Sequence, residues 1–307
     1  MKKKRAAIYY HNHIRNDGPP LYYFNVLKNQ LKLDTLHLLP EGDTRRWGKF
    51  DYHFWVDYGE DSFLPKKACM WMPPKNGGKT IYVASDAHLD NGYRFEKAKQ
   101  FDYVFFNQKH YIDEYLGRPG FPIQEVAYLP HAAEPKAYPN TPTIKKYDLA
   151  FIGHVQEEHK GNGVNVTRVE ALDRMFREFP NFYYGSRLPM WPEKNMFEDA
   201  ARHFCESRIV FNISVGNDVN MRFFETLSTG SFLLTNVIYE LDNLRELGLV
   251  DGVHYVSYGS LDDAVAKAKY YLKHEKEREK IATAGYKAFS QGHTYKHRVE
   301  EILKIVG

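Results

Sequence analysis

The chain has 307 residues, a length that predicts about two domains. Hydrophobic residues make up 43% of the chain and charged residues 26%, which excludes a disordered chain, a collagen and a small disulfide scaffold. The 42 basic and 39 acidic residues leave a formal charge of only +3, which argues against a protein built around nucleic-acid phosphates. Because no apolar run is long enough to span a membrane and Cys69 and Cys205 are predicted to be free thiols, we expect a cytoplasmic protein.

Strands and helices alternate along the first half of the chain. A strand from Arg5 to Tyr10 is followed by a loop, and two prolines then begin a helix predicted over Leu21–Leu31. The next predicted elements are strands at Tyr52–Asp57, Thr80–Ala84, Tyr103–Asn107 and Glu125–Tyr128, with helices at Gly92–Gln100 and Lys109–Leu116. Such alternation is typical of a parallel sheet covered by helices on both faces.

A proline-rich segment separates the two halves. Four prolines lie from Pro130 to Pro142, a spacing that neither a helix nor a central strand tolerates, so we predict domains at 1–142 and 143–293. The second half continues with strands at 147–153, 182–184, 209–213 and 231–235, and with helices at 165–179, 197–206, 219–229, 261–274, 277–291 and 295–305. Two doubly wound domains in tandem predict a cleft between the carboxyl edges of their sheets.

The segment from Ile209 to Asn236 combines an apolar strand, a polar loop and a helix. Asn217 or Asp218 is expected to cap that helix, and Arg222 and Glu225 share a helical face away from its apolar stripe. A helix N-terminus with an arginine suits a phosphate, and a carboxylate one turn further on suits the hydroxyls of a ribose. From the spacing alone, an ordinary exposed ion pair explains the pattern equally well.

The signature within this segment resembles that of CgeB-like glycosyltransferases, a branch of the GT-B sugar-nucleotide enzymes. It consists of Asn220, Arg222, Phe224 and Glu225, followed by Gly230 and a Leu-Leu-Thr strand. The segments Ala284-Gly285-Tyr286 and His293–Arg298 resemble the C-terminal part of the same family. The resemblance is close from Asp148 to the C-terminus and weaker in the first half.

The resemblance implies an α/β protein of GT-B fold, in which two Rossmann-like domains face a central cleft and the last helix, 294–307, crosses back to the first domain. It implies a hexosyltransferase-type enzyme that moves a sugar from a UDP-sugar or another nucleoside-diphosphate sugar to an acceptor hydroxyl on a glycan, a protein or another molecule. No metal or other cofactor is expected, because helix dipoles and an arginine can neutralise the leaving diphosphate. The alternatives are a nucleotide-sugar epimerase or hydrolase on the same fold, and a non-catalytic sugar- or nucleotide-binding protein.

The resemblance also assigns a donor site to the second domain. Related retaining enzymes hold the sugar and the ribose with two glutamates; Glu225 matches the second of these, but Asn217 stands at the first, which leaves the stereochemical outcome open. Because Glu225 lies off the apolar stripe, its replacement by alanine is expected to leave the fold intact. The expected donor-binding residues are Gly153, His154, Tyr184, Gly185, Asn217, Asn220, Arg222, Phe223 and Glu225.

The catalytic and acceptor-side candidates lie mainly in the first half. Asp86 and His88 follow a predicted strand and are candidate general bases, with turn capping as the alternative. His131 lies at the domain boundary, where we expect it to face the cleft and contact the donor rather than only the linker. The acceptor-side candidates are Asn16, Asp17 and Gly18, which follow the first strand and otherwise form a plain turn.

Overall fold

The computed structural model describes residues 3–10, 18–38, 49–57, 77–85, 91–120, 125–153, 155, 161, 163–164, 166–186, 196–215, 219–237 and 241–307. They form two compact units, one made of Met1–Pro130 with Tyr295–Gly307 and the other of His131–Thr294. Each unit contains one parallel β-sheet with helices between its strands. Within the described ranges, no helix combines the length and the apolar composition needed to cross a bilayer.

The first unit is built on a sheet whose described strands are all parallel. These strands are β1 (Arg5–Tyr9), β2 (Asp34–Leu38), β3 (Tyr52–Val56), β4 (Lys79–Ala84), β5 (Tyr103–Phe106) and β6 (Glu125–Tyr128). Its helices are α1 (Pro19–Asn25), which a π-helical turn continues over Val26–Gln30, α2 (Asn91–Ala98), α3 (His110–Leu116) and α10 (Tyr295–Val306). The strand order is β2-β1-β3-β4-β5-β6, and β3 is buried at every position because helices cover both faces.

Helix α10 comes from the end of the chain and packs within the first unit. Its buried residues include Tyr295, Val299 and Ile302, which recur at helical spacing and form one apolar stripe. The Tyr295 ring lies 5.0 Å from the ring of Tyr22 in α1. The Nε atom of Arg298 donates a hydrogen bond of 2.8 Å to the carbonyl oxygen of Pro130. The first unit is therefore assembled from two distant parts of the sequence.

The second unit repeats the alternating pattern. Its strands are β7 (Tyr147–Gly153), β8 (Phe182–Ser186), β9 (Ser207–Asn212), β10 (Leu233–Asn236) and β11 (Val256–Tyr258). Its helices are α4 (Arg168–Glu178), α5 (Met196–Cys205), α6 (Met221–Ser228), α7 (Leu241–Glu246), α8 (Leu261–Lys273) and α9 (Glu275–Gly292). The parallel strands lie in the order β11-β10-β9-β7-β8, which places β9 and β7 in the centre of the sheet. Cys205 at the end of α5 is a buried free thiol, as predicted.

The boundary between the two compact units lies after Pro130, whereas the boundary predicted from the sequence lies after Pro142. The intervening residues pack against the second unit: Ala133 and Tyr138 are both buried in its hydrophobic clusters. The hydroxyl of Ser228 in α6 donates a hydrogen bond of 2.7 Å to the carbonyl oxygen of Tyr138. The prolines prevent regular structure here, but the apolar side chains between them are needed to cover the second sheet.

Candidate functional site

A cluster of buried polar side chains lies at the carboxyl ends of β7, β9 and β10. Asn212 ends β9 and Asn236 ends β10, while Gly153 ends β7. Helix α6 follows β9 along the chain and brings Asn220 and Arg222 to the same edge. Open parallel sheets bind their ligands at this edge, so the cluster is the candidate functional site of the second unit.

Arg222 is at the centre of this cluster and is only 7% exposed. Its Nε donates a hydrogen bond of 2.6 Å to the carbonyl oxygen of Ile152, and its Nη1 donates one of 2.7 Å to Oδ1 of Asn212. The guanidinium carbon also lies 4.2 Å from the centroid of the Phe151 ring. These three contacts fix the plane of the guanidinium. A cation held in place in advance can bind an anion without paying for reorganisation.

Gly153 provides the space that the Arg222 side chain occupies. A Cβ atom at this position would lie 1.6 Å from Nη2 of Arg222 and 2.8 Å from its Cζ. Any side chain larger than hydrogen would therefore displace the guanidinium. Gly153 is predicted to bind the donor; in this structure its open side is occupied by the side chain of Arg222.

Helix α6 is capped by Asn220 rather than by the predicted Asn217 or Asp218. The side-chain oxygen of Asn220 accepts a hydrogen bond of 3.2 Å from the backbone N–H of Phe223. The side-chain amides of Asn220 and Asn212 also exchange two hydrogen bonds, of 3.1 and 3.3 Å. This second set of bonds attaches the cap to the end of β9 and explains why the helix begins there.

Two predicted donor-binding residues are completely buried within α6. Phe223 packs in a hydrophobic cluster, with its ring 4.9 Å from that of Tyr255, and presents no surface to a ligand. Glu225 is 0% exposed, which excludes the exposed ion pair with Arg222. It also removes the reason for expecting that the alanine replacement of Glu225 spares the fold. Every residue from Arg222 to Ser228 is buried, because α6 is covered on its outer side as well as by the sheet.

Tyr184 in β8 provides an aromatic surface at the same edge. Its side chain is 40% exposed, and its ring stacks on Phe151 with the centroids 6.3 Å apart and an interplanar angle of 10°. The same Phe151 ring lies under the Arg222 guanidinium. Gly185 follows Tyr184 and pairs with Ile152 in β7. The exposed face of Tyr184 can stack on a flat ligand.

Two other predicted site residues that the structure describes, His131 and Gly18, are not part of this cluster. His131 is the first residue of the second unit and is buried. Gly18 belongs to the first unit, where it precedes α1 with a φ of 149° that favours glycine. The candidates that lie outside the described residues are Asn16, Asp17, Asp86, His88, His154 and Asn217.

Asn212 and Asn236 belong to the cluster but were not predicted from the sequence as site residues. The Nδ2 atom of Asn212 donates a hydrogen bond of 2.9 Å to Oγ1 of Thr235 in the neighbouring strand. Asn236 accepts a hydrogen bond of 2.7 Å from the backbone N–H of Ser214 and donates one of 3.0 Å to its carbonyl oxygen. Each asparagine is the last residue of its strand and follows an apolar run, Ile209–Phe211 in β9 and Leu233–Leu234 in β10. This position is the sequence signal that could have revealed them.

A second buried arginine lies at the start of α4. The Nε of Arg168 donates a hydrogen bond of 3.0 Å to the carbonyl oxygen of Ile213, the residue after β9. Burial raises the pKa of Tyr258 well above its usual value, and the charges of Arg168 and Arg222 oppose this shift. In the part of the chain that the structure describes, no group of three or more His, Cys, Asp or Glu side chains is placed to bind a metal ion.

The chain has the GT-B fold, as predicted. Sucrose-phosphate synthase from Thermosynechococcus elongatus superimposes with a TM-score of 0.65 over 99% of this chain and 98% of its own, at 7% identity. HepE from Anabaena, in complex with UDP and glucose, superimposes with a TM-score of 0.61 over 99% of both chains, at 9% identity. A glycosyltransferase from Rickettsia africae superimposes with a TM-score of 0.59 over 99% of this chain and 98% of its own, at 8% identity.

A model of a known protein family matches most of the second unit. The family described as "Glycosyl transferase-like" matches residues 167–304, a stretch that runs from the start of α4 into α10. No curated protein sequence matches the chain significantly. The family match includes Asn212, Asn220 and Arg222 of the polar cluster, whereas Gly153 lies outside it.

Proposed function

We propose that this protein is a glycosyltransferase of the CgeB-like branch, which moves a sugar from a nucleoside-diphosphate sugar to an acceptor hydroxyl. The observation that carries the proposal is Arg222, a buried and fixed cation at the carboxyl edge of the second sheet. It lies within the segment that matches the glycosyl transferase-like family. Support for the donor class comes from HepE of Anabaena, which shares the fold and was crystallised with UDP-glucose.

We place the donor along this edge of the second unit. The diphosphate lies at the N-terminus of α6, where the helix dipole and Arg222 both favour negative charge. The base stacks on the exposed ring of Tyr184. The ribose hydroxyls reach Glu225. Because Glu225 is completely buried in this structure, that contact requires the side chains around it to open.

In the proposed reaction, the bond between the sugar C1 and the diphosphate oxygen breaks and a bond from C1 to the acceptor oxygen forms. Negative charge grows on the leaving diphosphate, and Arg222 with the α6 N-terminus stabilises it, so we propose a reaction that needs no metal. The acceptor hydroxyl gives its proton to a base. Our candidates for this base are Asp86 and His88, and we propose that His131 contacts the donor.

A panel of nucleoside diphosphates tests the donor proposal. The correct one, at about 100 times its Kd, should stabilise the protein by about 2.7 kcal/mol in thermal unfolding. Replacement of Arg222 by methionine should abolish this stabilisation. The matched control is Arg278→Met, since Arg278 is a buried arginine in α9 that donates a hydrogen bond of 2.7 Å to the carbonyl oxygen of Tyr271.

Both arginine replacements should lower the unfolding temperature without ligand, but only the one at Arg222 should remove the response to the diphosphate. If no nucleoside diphosphate stabilises the unmodified protein, the donor proposal is wrong. If one binds but the corresponding nucleotide sugar releases no diphosphate with any hydroxyl acceptor, the protein is a binding protein and not a transferase.

Glu225→Gln tests the ribose contact. Glutamine has the size of glutamate, so the buried position stays filled while the negative charge is lost. Affinity for the nucleoside diphosphate should fall about tenfold or more, the value of a hydrogen bond to a charged acceptor. Affinity for the 2′,3′-dideoxy analogue, measured by calorimetry, should not fall further, because that ligand lacks both hydroxyls. Equal losses for the two ligands would make Glu225 a structural carboxylate.

A further inference from the structure

We propose that Asn212 is a positioning residue for Arg222, and that it thereby sets the preference of the second unit for a nucleoside diphosphate over the nucleoside alone. The inference rests on the proposed function, because it assumes that Arg222 meets the diphosphate. It adds Asn212, a residue that affects ligand binding only by orienting the side chain of Arg222.

The hydrogen-bonding capacity of the Asn212 side chain is fully used inside the protein. Its oxygen accepts bonds from Nη1 of Arg222 at 2.7 Å and from Nδ2 of Asn220 at 3.1 Å. Its Nδ2 donates to Oγ1 of Thr235 at 2.9 Å and to Oδ1 of Asn220 at 3.3 Å. A side-chain amide has two donors and room for two acceptor bonds, so none is left for a ligand. Asn212 is also 0% exposed.

The same four bonds connect three elements at one point. Asn212 ends β9, Thr235 lies in β10, and Asn220 and Arg222 belong to the first turn of α6 and its cap. The paired amides of Asn212 and Asn220 hold the start of α6 against the strand. The N–H groups of the helix and the guanidinium of Arg222 are therefore placed together by one residue.

Without Asn212 the guanidinium loses one of the three contacts described above. The bond from Nε to the Ile152 carbonyl and the face of Phe151 remain, but Nη1 loses the acceptor that orients it. The guanidinium can then turn away from the orientation in which it meets the diphosphate. The affinity for ligands that carry a diphosphate should therefore fall, whereas the affinity for a nucleoside should not change, because a nucleoside has no charge for Arg222 to bind.

Asn212→Ala tests this prediction in the full-length protein. The probes are the nucleoside diphosphate that stabilises the unmodified protein most and the nucleoside derived from it, both measured by calorimetry. We expect the diphosphate to lose about tenfold in affinity, as for one hydrogen bond of a charged group, and the nucleoside to change by less than about twofold. In a double-mutant cycle of the free energy of unfolding, Asn212→Ala and Arg222→Met should be coupled rather than additive, because each removes the same hydrogen bond.

Asn107→Ala is the matched control. Asn107 is a buried asparagine that directly follows β5 in the first unit, and its Nδ2 donates a hydrogen bond of 2.5 Å to the carbonyl oxygen of Leu129. It should lower the unfolding temperature without changing the ratio of the two affinities. Equal losses for diphosphate and nucleoside, additive effects of Asn212→Ala and Arg222→Met on the free energy of unfolding, or the same ratio change at Asn107 would overturn the inference. Absence of any diphosphate binding by the unmodified protein would instead refute the proposed function, and this inference with it.

Discussion

Gly153→Ala should lower the free energy of unfolding by about 3 kcal/mol, the cost of two hydrogen bonds of a buried charged group at about 1.5 kcal/mol each, and should abolish diphosphate binding. The new Cβ would lie 1.6 Å from Nη2 of Arg222, so the guanidinium must move. Because Nη2 is the end of a long side chain, the clash alone is easily relieved. The cost arises because the moved guanidinium gives up its bonds to Ile152 and Asn212.

A double-mutant cycle separates this cause from a general distortion of β7. Once Arg222 is replaced by alanine, Gly153→Ala should change the stability by less than about 0.5 kcal/mol. Gly259→Ala is the control for adding a methyl group, since nothing lies within 4 Å of a Cβ at that position. If Gly153→Ala remains as costly without Arg222, the glycine serves the strand and not the arginine.

Ile302→Ala in α10 should destabilise the first unit by about 2–5 kcal/mol, as expected for a large side chain removed from a core. Ile302 is 0% exposed and belongs to the apolar stripe that α10 buries within this unit. The measurement is denaturant unfolding. If the two units unfold in separate transitions, only the transition of the first unit should shift.

Ile305→Ala provides a matched control on the same helix. Ile305 is 37% exposed, so the same chemical change should cost less than about 1 kcal/mol. Similar costs at the two positions would mean that α10 does not present the stripe that the structure describes.

The sequence predicts every described strand except β2 and β11, and the predicted strands include the edge strands β6 and β8. In β3 and β4 the residues are apolar or aromatic nearly throughout, because helices cover both faces of the sheet. The two strands that were not predicted are also edge strands. β2 includes Asp34 and His37, and β11 has only three residues. Neither strand therefore contains an apolar run long enough to be recognised in the sequence.

At the candidate site, the sequence predicts that Arg222 is a site residue, but it does not predict which residues fix the position of its guanidinium. Asn212 and Gly153 come close to Arg222 only because β9 lies beside β7, and this order cannot be read from local patterns. For Glu225 the sequence predicts a side chain away from the apolar core, whereas the structure buries it completely. The pattern of α6 indicates one apolar face and therefore solvent on the other, but every residue from Arg222 to Ser228 is buried, and Ser228 bonds the carbonyl oxygen of Tyr138.

The division of the first unit between the two ends of the sequence affects how the protein is made. The ribosome completes Met1–Pro130 early, but α10 emerges only after all of His131–Thr294. At about 5–20 residues per second, that delay is on the order of 10–30 s. During this time Tyr22 in α1 lacks the contact with Tyr295 that covers it in the finished protein. The nascent first unit therefore exposes an apolar surface until α10 has been made, and we expect this surface to be open to chaperones during that time.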